Sequence, residues 1–312
     1  MKRKVIDIFK NILMFLISMF LIISITFFLL QLIPGKAYDL DYIKDKNVIN
    51  NLDNKYGYNE PLIIRYKDTI VKSFTFNFGN SYIYDGKDVK EIIKKGFETS
   101  SRIGLIAIIL SLINGTIIGF KLFKQRNSKK DKINKFLLIS ISSIPTFVIA
   151  SLVQYILCIK IHLFNVYGLN SIIDYILPTY ILSIYPTIFI ARTLEKKLIN
   201  VHFSDYIVFA KINGVEKKYL IIYYYLKNCF SPILSYMGTL VANLIVGSFV
   251  IETMFNIPGL GKFFITSILN RDFPLIMSLT IFFAYILTGC TYFFNILSIL
   301  VNYRGDVLNE KE

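Results

Sequence analysis

Residues 11–33 run almost unbroken through ILMFLISMFLIISITFFLLQLI, and this run limits the possible folds more than any other feature. As an α-helix, about 20 consecutive apolar residues cross the hydrocarbon core of a bilayer. The run is too long for the apolar centre of a secretion signal, and no small-residue cleavage site follows, so it is expected to stay as a first span. Five more apolar runs follow, at residues 103–123, 136–159, 175–191, about 231–251 and 275–301. Lys2, Arg3, Lys4 and Lys10 precede the first run, and the basic stretch KLFKQRNSKKDKINK (121–135) separates the second from the third. Arg192, Lys196 and Lys197 follow the fourth run, and Arg304 follows the sixth. Short loops rich in Lys and Arg stay on the cytoplasmic side. The pattern predicts an all-α integral membrane protein with six transmembrane helices and cytoplasmic N- and C-termini.

The organisation follows from that pattern. Residues 1–35 hold the N-terminal tail and first helix. Residues 36–98 are polar with acids and bases near balance, and a long segment translocates largely regardless of charge. They are expected as a small external subdomain between helices 1 and 2. Residues 99–304 form a five-helix core with a cytoplasmic loop at 204–232, and 305–312 form a cytoplasmic tail. Proline at 145 is expected to kink the third span and prolines at 178 and 186 to lie inside the fourth, their freed backbone groups re-satisfied by neighbouring helices. Asn114, Gly115 and Gly119 offer small or polar packing positions in the second span. Gly238, Asn243 and Gly247 fall on roughly one face of the fifth.

Lys and Arg exceed Asp and Glu by 35 to 21. A nucleic-acid partner is not expected, because the basic residues sit between apolar runs rather than on one face. Cys158, Cys229 and Cys290 show no metal or redox spacing. His162 and His202 fall on opposite membrane faces, where each is expected at the surface, so no metal site is expected. No GxxxxGK[ST] loop, HExxH or nucleophile elbow occurs. No catalytic residue is predicted, and an enzyme has nothing to rest on.

Two stretches interrupt the lipid-compatible pattern. Residues 204–232, SDYIVFAKINGVEKKYLIIYYYLKNCFSP, carry Asp205, Lys211, Glu216, Lys217, Lys218 and Lys227, with apolar residues at helical spacing. Ser204 or Asp205 can cap a helix there. Gly214 can end it in the left-handed conformation that glycine adopts without steric cost. The segment is either a docking hairpin for a soluble partner or a solvated loop. Residues 251–263, IETMFNIPGLGKF, put Glu252 at the outer end of a span, where an ionisable residue is costly and functional by default. A satisfied interfacial carboxylate, paired with Arg271 or Lys262, is the equal alternative.

The 204–232 stretch resembles the cytoplasmic coupling loop of permease subunits in ABC importers, in the dipeptide, oligopeptide and nickel branch. Asp205, Tyr206, Ala210, Lys211 and Gly214, then Lys227, Asn228 and Pro232, stand at matching spacing. The resemblance extends along nearly the whole chain. LIPG (32–35) is similar to the turn after the first span, and FNFGNS (76–81), with Asn77, Phe78, Gly79 and Ser81, to part of the external segment. The 251–263 stretch, with Glu252, Phe255, Pro258, Gly259 and Gly261, is similar to a gate or external loop. RDFPLI (271–276), with Arg271, Asp272 and Pro274, continues it. Departures occur at Lys36, Ile212, Tyr224, Asn295 and Asn302.

The resemblance implies a permease in a bacterial plasma membrane, forming half of a translocation pathway for peptides or nickel–chelator complexes. Implied partners are a second permease, two cytosolic ATPases that bind ATP and Mg, and an external binding (lipo)protein. No cofactor is implied in this chain. Asn77, Phe78, Gly79 and Ser81 are then binding-protein contacts, with a structural plug over the first span as the equal alternative. An ion-gradient-coupled secondary transporter is the alternative class. Against it, the span centres lack Asp, Glu, Lys and Arg and no internal repeat is visible.

Overall fold

The computed structural model describes residues 2–33, 59–84, 86–169, 171–216, 219–246 and 249–309. The expected turn at Pro34, Gly35 and Lys36, most of the polar segment up to residue 58, Lys217, Lys218 and Gly247 lie outside the described residues. Among the described residues the chain is helical, with one isolated bridge between Asn80 and Asp88 and no longer strand.

The elements are α1 (Lys2–Leu32), α2 (Leu62–Thr75), α3 (Val89–Lys124), α4 (Lys129–Ser143), α5 (Thr146–Gln154), α6 (Ile176–His202), α7 (Asp205–Ile212), α8 (Lys227–Val246), α9 (Phe249–Met254), α10 (Leu260–Leu269) and α11 (Phe273–Asn309). Among the described residues five stretches are long and apolar enough to cross a membrane: Ile8–Leu32, Val89–Lys124, Ile172–His202, Tyr236–Met254 and Phe273–Leu297. A sixth span exists if the bent pair Lys129–Ser143 and Thr146–Lys160 is taken as one.

That pair bends by 95°, far more than the kink expected at Pro145. Proline pushes its predecessor out of helical geometry, and Ile144 is extended (φ −87°, ψ 125°). α4 is instead held to α6 by charge. Ser128 caps α4 by accepting from the Asp131 amide (3.1 Å), and Lys135 Nζ reaches both Asp131 (3.0 Å) and Glu195 of α6 (2.7 Å).

The core is built on α3, which packs along most of α6 and crosses α8. Glycines set these approaches. A Cβ at Gly115 would press on Ile190, one at Gly119 on Ala191 and Leu194, and one at Gly104 would collide with the Leu244 carbonyl. Small residues let helix backbones close up where lipid gives no hydrophobic drive. Gly238 likewise brings α8 against Cys290 and Phe294 of α11, whereas Asn243 is exposed. α1 is largely exposed. It meets the rest through Met19, Ile23 and Phe27 against Met277, Ile281 and Ala284.

At 36 residues α3 is about 54 Å long, well beyond a bilayer core of about 30 Å. Its first turns carry α10, with Val89, Ile92 and Ile93 packed in one cluster with Leu260 and Leu275. The other end carries α7: Phe123 meets His202 edge-on and Arg126 lies over the Phe203 ring at 4.7 Å.

Candidate functional site

Two motif clusters occupy opposite ends of the bundle. At one end α6 runs almost directly into α7. Of the two expected caps, Ser204 and Asp205, Ser204 holds the N-cap position, but its hydroxyl donates back to the Val201 carbonyl (2.6 Å) instead of capping. Asp205 supplies negative charge to the first turn, favourable beside the positive end of the helix dipole. Gly214 turns the chain out of α7 at φ 73°. Its amide bonds the Lys211 carbonyl and that of Val215 the Ala210 carbonyl, both at 3.1 Å. These two bonds define a Schellman stop. The chain then re-enters as a π-helical stretch, Leu220–Leu226, that leads into α8.

α7 is rooted by one face and bare on the other. Ile207 and Ala210 are buried in the main core, and the Tyr206 ring lies parallel to Tyr224 at 6.4 Å. Phe209 is 69% exposed and Ile212 78%, with Val208, Lys211, Asn213 and Gly214 exposed around them. Ala210, grouped by sequence with the coupling residues, is thus a root and not a surface position. Asn228 and Pro232 fall in the backbone of α8. His202 is half-buried, and its Nδ1 meets the Tyr225 hydroxyl at 2.6 Å among aromatic rings.

At the opposite end the PGLG loop leads into α10. Glu252 is 1% exposed, and its carboxylate takes a hydroxyl and two backbone amides. Ser100 Oγ donates to Oε1 (2.7 Å), while the Gly261 and Lys262 amides donate to Oε2 (2.7 and 3.3 Å). Ser100 Oγ also accepts from the Leu260 amide (2.9 Å). The three orphan amides of the first turn of α10 are thus satisfied by one carboxylate and one hydroxyl. The expected pairing with Arg271 or Lys262 does not occur; the Lys262 ammonium bonds Asn256 instead. Gly259 and Gly261 are required by this packing. A Cβ at 259 would collide with the Glu252 carboxylate and lie 2.6 Å from Ser100 Oγ, and one at 261 would lie 2.8 Å from Phe249.

The far end of α10 is closed by a second carboxylate. Asp272 is fully buried, accepts from the Ser81 hydroxyl and the Tyr82 amide (3.2 Å), and caps α11 at the Leu275 amide (3.3 Å). Pro274 sits in that first turn, where a missing amide costs nothing. Arg271 is exposed at φ 53°. Burial, then the Asp272 carboxylate, push the phenol of Tyr84 above the usual tyrosine value. Phe255 is buried and its carbonyl accepts from Gly168 (2.8 Å), while Pro258 is exposed. Ser81 is 2% exposed and internal, which corrects its grouping with surface contacts. Asn77 and Gly79 are exposed and Phe78 is half-buried.

Ser100 was not legible as a partner of Glu252, from which 152 residues separate it. The Asp131–Lys135 pair has the helical spacing of an ion pair, but nothing marked Glu195 as its third member. Among the described residues no three His, Cys, Asp or Glu side chains come together as a metal site.

Residues 103–304 match the family described as binding-protein-dependent transport system inner membrane component. The dipeptide transport system permease protein DppB of Bacillus subtilis (strain 168) is 34% identical over 86% of this chain and 88% of that protein. DppB of Lactococcus lactis subsp. cremoris (strain MG1363) is 33% identical over 95% of this chain and 98% of its own length. The oligopeptide transport system permease protein OppB of Escherichia coli (strain K12) is 32% identical over 85% and 87%. A solved chain of the MetNI methionine ABC transporter, in inward-facing conformations, aligns with TM-score 0.49 and 14% identity over 70% of this chain and 95% of that one. With its apolar helices, this chain is a multi-pass protein of the plasma membrane. It belongs to the family of inner-membrane components of binding-protein-dependent transport systems.

Proposed function

We propose that the chain is one permease subunit of an ABC importer for short peptides and forms half of the translocation pathway. The curated relatives at 32–34% identity are dipeptide and oligopeptide permeases, which supports this cargo class. The observation that carries the reading is α7: an eight-residue helix rooted by Ile207 and Ala210, with Phe209 and Ile212 left bare. A monomer gains nothing from exposing such side chains together on a polar loop. A groove on a cytosolic ATPase is the occupant proposed, with Asp205, Tyr206, Lys211 and Gly214 shaping the fit and Asn228 and Pro232 starting the return helix. ATP and Mg are bound by those ATPase subunits, and this chain has no catalytic role. In this arrangement both termini and the α7 end face the cytoplasm, and residues 36–98 face outward toward a substrate-binding (lipo)protein. A second permease completes the pathway.

The mechanism follows from connectivity. α7 is joined to α6 by two residues, and α6 packs along α3, so a displacement of α7 is passed to the longest helix contact in the bundle. ATP-driven closure of the ATPase pair would move the coupling helices of both permeases and rock the spans between inward- and outward-open states. ATP shifts that equilibrium only if it binds the two states with different affinity.

The test is co-purification of the tagged chain in mild detergent, followed by uptake of labelled di- and oligopeptides in a strain lacking the gene. Recovery of an ATPase, a second permease and a binding protein, with loss of uptake in the deletion strain, supports the reading. Recovery of the chain alone, with uptake driven by an ion gradient, overturns it.

A further inference from the structure

α10 is secured at both ends by buried carboxylates, and each reaches a different part of the chain. At its start Glu252 and Ser100 join it to α9 and to the first half of α3. At its end Asp272 joins it to α11 and to Ser81 and Tyr82. Apolar packing fills the space between: Leu260 and Phe263 lie against Gly96, and the Phe263 ring meets Tyr84 edge-on at 5.9 Å. Val89, Ile92, Ile93, Leu275 and Leu279 complete the same cluster. Unlike α7, this short helix has buried hydrogen-bond partners at both ends, although Ile268 and Leu269 stay exposed on its last turn.

We propose that Glu252 is a positioning residue which, with Asp272, makes α10 a crossbar between the Asn77–Gly79 strip and the last two spans. The ten residues of α10 are bonded at both ends, so a load on residues 77–84 is passed through α10 to α9 and α11 instead of being absorbed in a loop. Glu252 acts by accepting hydrogen bonds, not as a counter-ion, since neither Arg271 nor the Lys262 ammonium meets it. Glutamine can copy most of this. Its oxygen can take the Gly261 and Lys262 amides while its NH₂ donates to Ser100 Oγ, and the serine hydrogen turns to a carbonyl of the preceding turn of α3, as helical serines do. Alanine copies none of it.

The crossbar makes a claim at a distance. The Tyr82, Ile83 and Tyr84 amides report the Asp272 end, because they bond Asp272 or Ser81. Hydrogen exchange would be measured on the full complex in nanodiscs, for wild type, Glu252→Ala, Glu252→Gln and Ser100→Ala. Glu252→Ala is expected to speed exchange about tenfold at residues 260–262 and also about threefold at 82–84, across α10. Ser100→Ala, the milder lesion, moves both segments in the same direction, and Glu252→Gln restores both. Faster exchange confined to 260–262 overturns the crossbar, as does a Gln variant no better than Ala.

A second readout rests on the importer reading: stimulation of ATPase activity by the loaded binding protein falls about fivefold in Glu252→Ala and recovers in Glu252→Gln. Equal stimulation in wild type and Glu252→Ala also overturns the proposal. A wild-type complex with no stimulation counts against the importer reading, and the exchange pattern still decides the crossbar.

Discussion

α7 and α10 end in the same hydrogen-bond pattern with different residues at the turning point. At the end of α7 Gly214 bonds back to Lys211 and Val215 to Ala210; at the end of α10 Arg271 bonds back to Ile268 and Asp272 to Ser267. The left-handed residue is glycine in the first case (φ 73°) and arginine in the second (φ 53°). The surroundings explain the difference. A Cβ on Gly214 would meet nothing within 4 Å, so no neighbour holds that turn and the residue itself must favour it. Arg271 is followed by a buried Asp272 bonded to Ser81, Tyr82 and Leu275, and strain of this kind persists where neighbours over-determine it. The turn after α10 is held by its neighbours' hydrogen bonds, whereas the turn after α7 is shaped by its glycine alone.

The largest effect should come from breaking the closed end. Gly259→Ala drives a Cβ into the Glu252 carboxylate and Ser100 Oγ. Over-packing and the loss of partners for a buried carboxylate together should destabilise the chain by more than about 3 kcal/mol. The check is thermal unfolding of the purified protein, with a markedly lower midpoint expected. A midpoint equal to wild type would mean that the loop is not packed as the closed end requires.

The open end should respond in the opposite way. Phe209→Asp with Ile212→Asp should leave that midpoint unchanged, because both side chains are largely exposed. Affinity for the ATPase partner should fall by about 2–4 kcal/mol, the scale of an interface hot spot. Binding of the detergent-solubilised permease to immobilised ATPase measures it. Retained binding would mean that the bare face of α7 has another purpose.

The contrast between the ends also marks what the residues alone disclosed. Spans of about 20 apolar residues are written locally, and so are helix 205–212 and its glycine stop, since apolar spacing and the φ preference of glycine belong to neighbouring residues. The partners of Glu252 are not local. Its carboxylate was visible as an anomaly, but whether a cation, a hydroxyl or backbone amides satisfied it depended on where Ser100 came to rest. The burial of Ser81 and Ala210 was hidden for the same reason, because a small residue looks alike at a contact surface and at a root. Pro145 announced a break but not its angle, which depends on the Lys135–Glu195 anchor and on packing far from the proline.

Gly214→Val sharpens the comparison at a smaller scale. A β-branched residue in the left-handed region costs about 1–2 kcal/mol, and with open space around it the cost is conformational, not steric. The fold should survive, with α7 losing its stop and peptide uptake falling while the spans stay protected from exchange. Gly214→Asn, which tolerates the left-handed region, should lie between the two. If Val and Asn behave alike, the turn is not what sets coupling.

The smallest effect should have the opposite sign. Arg271→Gly removes the left-handed strain of about 1–2 kcal/mol but adds about 0.4–1 kcal/mol of freedom to the unfolded chain. A net gain below about 1.6 kcal/mol and centred near 0.8 kcal/mol follows if the backbone alone matters, since Arg271 is exposed. A slightly higher unfolding midpoint is therefore expected at a position where the chain carries a strained residue. If Arg271→Gly instead lowers the midpoint, the guanidinium supports the closed end directly. The arginine is then retained for stability, not merely tolerated by the Asp272 clamp. A raised midpoint with reduced response to the binding protein would separate the two uses of the position: a turn that Asp272 already holds, and an exposed cation kept for a partner.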